Sequence, residues 1–147
     1  MTDTVQLVNL LLTAVLTGNE LGTWAVVHPA LHRLSLREEI SAEQAITRRY
    51  GYFMPPLMLL TIATGFISAA TLSGTPSRLV FAASGCFTVM LAITLLGNVP
   101  INLQTLRFDE QDQASWRQLR GQWDRLHLVR VVLDAAALVL IGLAAVD

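Results

Sequence analysis

The chain contains no lysine, one cysteine, two tyrosines and no arginine before Arg33. A single cysteine excludes a disulfide framework. Cys86 lies in an apolar run and reads as a small buried thiol. Charged residues make up only 14% of the 147, where a soluble domain carries about 25%. The net charge of −1 excludes the basic surface that nucleic acid requires. Met1-Thr2-Asp3-Thr4 has no positive n-region, and no A-x-A-like cleavage site follows. The first apolar segment is therefore expected to be retained rather than removed as a signal peptide. What the chain has instead is hydrophobic residues, at 53%, and a mean hydropathy of +0.52. No internal repeat or low-complexity tract is visible.

Four segments reach the roughly 20 apolar residues that cross a bilayer. They run about 5–31, 52–72, 79–103 and 126–146. The expected fold is all-α: one domain over residues 1–147, a four-transmembrane-helix bundle with short amphipathic helices in its cytoplasmic loops. Arg33, Arg37, Arg48 and Arg49 lie between the first two segments, and Arg107, Arg117, Arg120, Arg125 and Arg130 run from the third into the fourth. The loop between the second and third offers only Arg78, and the chain ends in Asp147. The positive-inside bias then places both Arg-rich loops in the cytoplasm and both termini outside a cell membrane. Ser35-Leu-Arg-Glu38 and Ser41-Ala-Glu-Gln44 both have the capping-box pattern. A short amphipathic helix is expected over about 42–49, near the headgroups. After Asp109 to Asp112, another should start near Ala114 and continue into the fourth span. Ser73 to Ser77 reads as a tight Gly/Pro turn.

Trp116, Arg120, Trp123, His127, Arg130 and Asp134 recur at steps of four and three, which draws one stripe along a helix. Ionisable groups in a membrane segment are costly unless they face a protein interior or cavity, so they point to function. Asn9, Thr13, Thr17, Glu20, Trp24 and, less closely, His28 line one side of the first segment. Thr94, Asn98, Asn102 and Thr105 line one side of the third. Glu20, His28, Asn98, Asn102, Trp123, His127 and Arg130 are all expected near the cytoplasmic half, while the outer half reads as apolar, with no continuous path for transport. Pro100 has no amide to offer the carbonyl of Leu96 and should bend or open its helix. Gly18 and Gly22 share a close-packing G-x-x-x-G spacing. The second segment is assigned mainly to packing, and Tyr50 and Tyr52 to interface anchoring.

Several roles stay open from residue type alone. Glu20 suits a proton acceptor, a metal ligand or an ion-pair partner of Arg130. Arg130 and Asp134, four apart, can neutralise each other. His28 and His127 can shuttle protons or, with Glu20, hold iron or copper. Trp24, Trp116 and Trp123 can anchor at headgroups or wall an aromatic site.

Asn98-Val-Pro-Ile-Asn102, followed by Trp116, Trp123, His127 and Arg130 ahead of a last apolar helix, resembles the anthrone-oxygenase-like membrane family. The first helix, Gly18 to Pro29, is similar in style. The resemblance implies a small integral membrane protein that oxidises a lipophilic anthrone or quinone-like aromatic with molecular oxygen as co-substrate and no obvious organic cofactor. In that chemistry His127 is the base, oriented by Asp134 or Glu20. Asn98, Asn102 and Arg130 hold the developing oxyanion. Trp24 and Trp123, with Trp116, bind the rings. Two other classes remain: a metal- or haem-binding redox protein using His28, His127 and Glu20, and a non-enzymatic transport or membrane-partner protein. The expected partners are the lipid bilayer and a small aromatic, with pairing of two chains left open.

Overall fold

The computed structural model describes residues 2–109 and 112–146; Met1, Glu110, Gln111 and Asp147 lie outside it. Every long element is helical, and no strand occurs among the described residues. The chain runs α1 (Thr2–Gly22), a π-helical turn (Thr23–Val27), α2 (His28–Leu31), α3 (Leu36–Thr71), α4 (Gly74–Ile93), a second π turn (Thr94–Asn98), α5 (Val99–Arg107) and α6 (Gln113–Val146). These make four rods, each long and apolar enough to cross a membrane: Thr4–Leu31, Leu36–Thr71, Gly74–Arg107 and Gln113–Val146. Their outer faces carry exposed Leu, Val and Phe, among them Leu11, Phe53, Leu96 and Val139. Apolar surface on that scale fits contact with lipid rather than water. The chain is a multi-pass membrane protein.

Short connections alternate the rods, so the end of α2 and start of α3 share one end with the end of α5 and start of α6, and the 72–73 turn, the start of α1 and the end of α6 share the other. We call these the connector end and the terminal end. Ser35 starts α3 through a capping box with Glu38, whose Oε2 accepts from the Ser35 amide at 3.1 Å. Asp112 starts α6: its Oδ1 accepts from the amides of Ala114 and Ser115 at 3.0 and 3.1 Å. The Ser115 hydroxyl and amide hold the Asp112 carboxyl below the usual carboxylate range. At the terminal end Gly74 begins α4 at φ +68°, a left-handed conformation that glycine adopts without strain. The Ser77 hydroxyl donates to Ala69 O across that turn at 2.8 Å.

The amphipathic stretch over 42–49 is helical, but it is not a separate element. It forms the first turns of α3, a 36-residue helix about 54 Å long at 1.5 Å per residue. Ser41 consequently lies inside a helix and caps nothing. Pro55 and Pro56 do not interrupt α3. Gly51, four residues before Pro55, has no side chain to add to the crowding that the proline ring brings. Both α3 and the 34-residue α6 thus extend past the span at the connector end and build a polar annex there.

The break expected at Pro100 takes a definite form. Val99 N bonds to Thr94 O, an i−5 bond, in the turn before Pro100, and His28 N bonds to Thr23 O in the turn before Pro29. A π turn widens the helix just where proline withholds a donor. The apolar core gathers Leu16, Met58, Phe87, Met90, Ala137 and Ile141. A smaller cluster of Ile101, Leu119 and Trp123 lies at the connector end. Gly97 permits close approach of the third rod to α6, since a Cβ there would lie 2.6 Å from Leu126 Cδ1. Gly18 and Gly22 are not close-packing points within the bundle: a Cβ at either meets no atom within 4 Å.

Candidate functional site

The four rods enclose a cavity of about 110 Å³ toward the connector end, with Glu20, Tyr50, Thr94, Asn102, Trp123 and His127 on its walls. Arg130 and His28 also line it. The sequence stripe on α6 explains the arrangement: Trp116, Arg120, Trp123, His127, Arg130 and Asp134 are all buried, on one face.

Two Glu–His–Arg groups occupy this interior. In the deeper one, Glu20 Oε1 accepts a hydrogen bond from Arg130 Nη2. Its Oε2 lies 3.2 Å from His127 Nδ1, and its backbone carbonyl lies 3.2 Å from His127 Nε2. Glu20 therefore holds the guanidinium through its carboxylate and the imidazole through its backbone carbonyl. In the shallower group, Glu43 Oε1 lies 2.9 Å from His28 Nδ1 and 3.0 Å from Arg120 Nη2. Both carboxylates are at most 2% exposed, so neither charge could persist there without its partners.

Trp123 joins the two groups. Its ring stacks on His127 at 4.5 Å between centroids and packs against His28 at the same distance. Arg120 lies over its face, 4.7 Å from the centroid, in cation–π geometry. Trp123 Nε1 donates to Asn102 Oδ1 at 2.8 Å, which leaves the Asn102 amide nitrogen free to donate elsewhere. Across the cavity, the hydroxyls of Thr23 and Tyr50 bond at 2.9 Å.

Other residues singled out in the sequence fall elsewhere. Trp24 is 41% exposed and faces away from the cavity, because the π turn over Thr23–Val27 turns Thr23 inward instead. Trp116 is buried, but beside Phe108 and Arg120, on a second groove nearer the connector end. Asn98 is buried without lining the cavity, and its amide finds no partner. Asp134 makes no direct ion pair with Arg130 and no hydrogen bond to His127; both its oxygens are unpartnered, and only its backbone carbonyl accepts, from Thr17 at 3.3 Å. The expected metal set of His28, His127 and Glu20 is not the one that closes. Among the described residues, it is His28, His32 and Asp124 whose donor atoms lie within 4.8 Å of one another.

Two residues escaped the sequence reading. Glu43 looks like an ordinary charge on an amphipathic turn until α3 is seen to be continuous and to carry it inward. Tyr50 looks like an interface anchor, yet it lines the cavity. Their spacing held a signal: Glu43, Tyr50, Met54 and Met58 recur at helical steps on the face that turns out to be buried or lining.

A membrane-embedded four-helix bundle with paired charges around an aromatic-walled cavity is thus the class that fold and site define. The family model described as anthrone oxygenase matches residues 43–140, two thirds of the chain. The chain belongs to the anthrone oxygenase family, which points to an oxygenase-like role. The matched segment holds Glu43, Asn102, Trp123, His127 and Arg130, whereas Glu20 and His28 precede it. No curated protein and no solved structure matches the chain.

Proposed function

We propose that this protein is a membrane oxygenase that converts a lipophilic anthrone-like aromatic to the corresponding quinone with molecular oxygen, at the Glu20–His127–Arg130 group. The observation that carries this reading is that a carboxylate, an imidazole, a guanidinium and a carboxamide converge on one cavity beside an aromatic wall, inside the membrane part of a family member. An anthrone methylene is acidic because its carbanion delocalises onto the carbonyl oxygen. The His127–Glu20 pair takes that proton. Arg130 and the free Asn102 amide donate to the oxyanion that forms. The carbanion then passes its electrons to O2, a hydroperoxide forms at the former methylene carbon, and loss of water leaves the second carbonyl. One O2 is consumed, one oxygen atom enters the product and the other leaves as water. Trp123 supplies the aromatic wall beside which the rings sit.

The cavity is small beside the roughly 300–1,000 Å³ of drug-sized pockets. A three-ring substrate therefore enters only if cavity-wall side chains swing aside, and lipid is its route of approach. The nine arginines of the connector end support an orientation with that end in the cytoplasm and both termini outside. Incubation of purified protein with anthrone under ¹⁸O2 tests the reading. Anthraquinone carrying one ¹⁸O atom is expected from the wild type and not from Glu20→Gln. Unaltered anthrone, or identical yields from both proteins, overturns it.

A second reading, a metal-dependent redox protein, draws on the closeness of His28, His32 and Asp124. Two imidazoles and one carboxylate are a donor set that suits a divalent first-row metal. Elemental analysis of protein purified without chelator separates this reading from the first.

A further inference from the structure

The terminal half of the bundle was expected to be apolar inside, and it is not. On α1, Asn9, Thr13 and Thr17 follow at four-residue steps and Glu20 comes three later, so all four stand over one another on the buried face. From Asn9 to Glu20 the helix rises about 16 Å, roughly half the thickness of a bilayer core. The neighbouring helices add Ser68 from α3, Ser84 from α4 and Asp134 from α6, all buried. Asn9 and Ser84 converge on Gly65. A Cβ on Gly65 would lie 2.5 Å from Ser84 Oγ and 3.5 Å from Asn9 Oδ1, so glycine keeps open the point where α1, α3 and α4 bring polar atoms together. Lower down, Thr17 bonds to the backbone of Asp134. The column ends in two openings. Asn9 and Ser68 line a groove of about 190 Å³ at the terminal end, and Glu20 lines the cavity described above.

The polar atoms of this column find few protein partners. Both amide atoms of Asn9, the hydroxyls of Thr13 and Ser68, and both carboxyl oxygens of Asp134 are buried without a hydrogen bond. Each such group left bare costs about 1–3 kcal/mol. A chain of bare groups of that length is implausible in a folded bundle, whereas waters bridging several polar partners each satisfy it. Asp134 is the one ionisable side chain of the column not already engaged. The charged groups around it are Glu20 on α1 and Arg130 on its own helix. Glu43, the buried acid of α3, is held at the connector end by His28 and Arg120. The sequence from Leu79 to Leu103, which covers most of the third rod, carries no charged residue.

We propose that this column is a hydrated shaft through which the Asp134 carboxyl exchanges protons with the aqueous phase at the terminal end of the bundle. It connects the deep side of the Glu20 site to the side of the membrane opposite the arginine-rich connectors. Arg130, bonded to Glu20 and lining the cavity, stands between Asp134 and the Glu20 site.

Infrared spectroscopy of the full chain in phosphatidylcholine vesicles tests this without reference to turnover. The carbonyl stretch of the protonated Asp134 carboxyl is assigned by its loss in Asp134→Asn, at a pH chosen by titration, and followed on a switch from H2O to D2O. In the wild type the band is expected to shift as fast as those of exposed carboxyls. Asn9→Leu and Gly65→Ala, which remove the polar lining and fill the meeting point, are expected to slow that shift by about tenfold or more, because exchange then waits on local opening. Ser84→Val serves the same purpose should either variant fail to fold. An Asp134 band that never exchanges in the wild type overturns the proposal. So does rapid exchange that no shaft variant slows, and so does the lack of any protonated Asp134 signal across the pH range in which the protein stays folded.

Discussion

The two Glu–His–Arg groups make an instructive pair, because they use the same three residue types at different depths. Both take their arginine from α6, ten residues apart, and both press a histidine against Trp123. The shallower group draws its acid from α3 and its histidine from α2, beside a groove lined by His32, Arg117 and Asp124 that reaches the connector end. The deeper one draws its acid from the last turn of α1 and opens onto the cavity between the rods. An ion pair near water can lose a member and be rescued by solvent; one in the bilayer interior cannot. The shallow group reads as a clamp that ties α2, α3 and α6 together. The deep group reads as the reactive one.

The largest effect is expected from Glu20→Gln, which removes the carboxylate that holds the buried Arg130 guanidinium. A loss of about 3–5 kcal/mol should appear in chemical unfolding followed by circular dichroism in detergent. The double change Glu20→Gln with Arg130→Met should recover much of it. Glu43→Gln makes the same chemical change at the shallow group. There Arg120 keeps two indole faces and gains water from the groove, so a smaller loss of about 1–3 kcal/mol is expected in the same assay. Equal losses from the two substitutions would erase the distinction of depth. Trp123→Phe keeps a ring between the two histidines but removes the bond to Asn102, for about 1 kcal/mol. The smallest effect belongs to neither group. The Asp112 carboxyl is held below its ordinary range by Ser115. Its contribution is therefore present above the unfolded-state value and is lost as pH falls through the depressed folded value. Amide exchange at the first turn of α6 should quicken over that acid window in the wild type and not in Asp112→Asn.

The deep group was largely legible in the sequence. Glu20 is the only acid in the first span, and the α6 stripe keeps its period from Trp116 to Asp134, so membrane cost and periodicity together single these residues out. The shallow group was half hidden. Arg120 lay in the stripe, but Glu43 sat in a turn whose charge is unremarkable on a surface helix. Only the continuity of α3 through Pro55 and Pro56 brings it inside. Trp24 went the other way for a local reason. A π turn shifts the register of one helical face within five residues, and a periodicity drawn with regular α-helical spacing cannot register that shift. The polar interior of the terminal half was visible as the Asn9–Thr13–Thr17 steps. Ser68 and Ser84 carried no such period, since a lone serine in an apolar run is ordinary, so the column they complete emerged only from the packing at Gly65.

Oxygen uptake with anthrone by three proteins decides most directly which group reacts: the wild type, His127→Ala and His28→Ala, each shown to be folded by circular dichroism. Loss of uptake in His127→Ala, with most of it retained in His28→Ala, is the expected result. Retained uptake in His127→Ala, or its loss in His28→Ala alone, would contradict the assignment of the chemistry to the deep group.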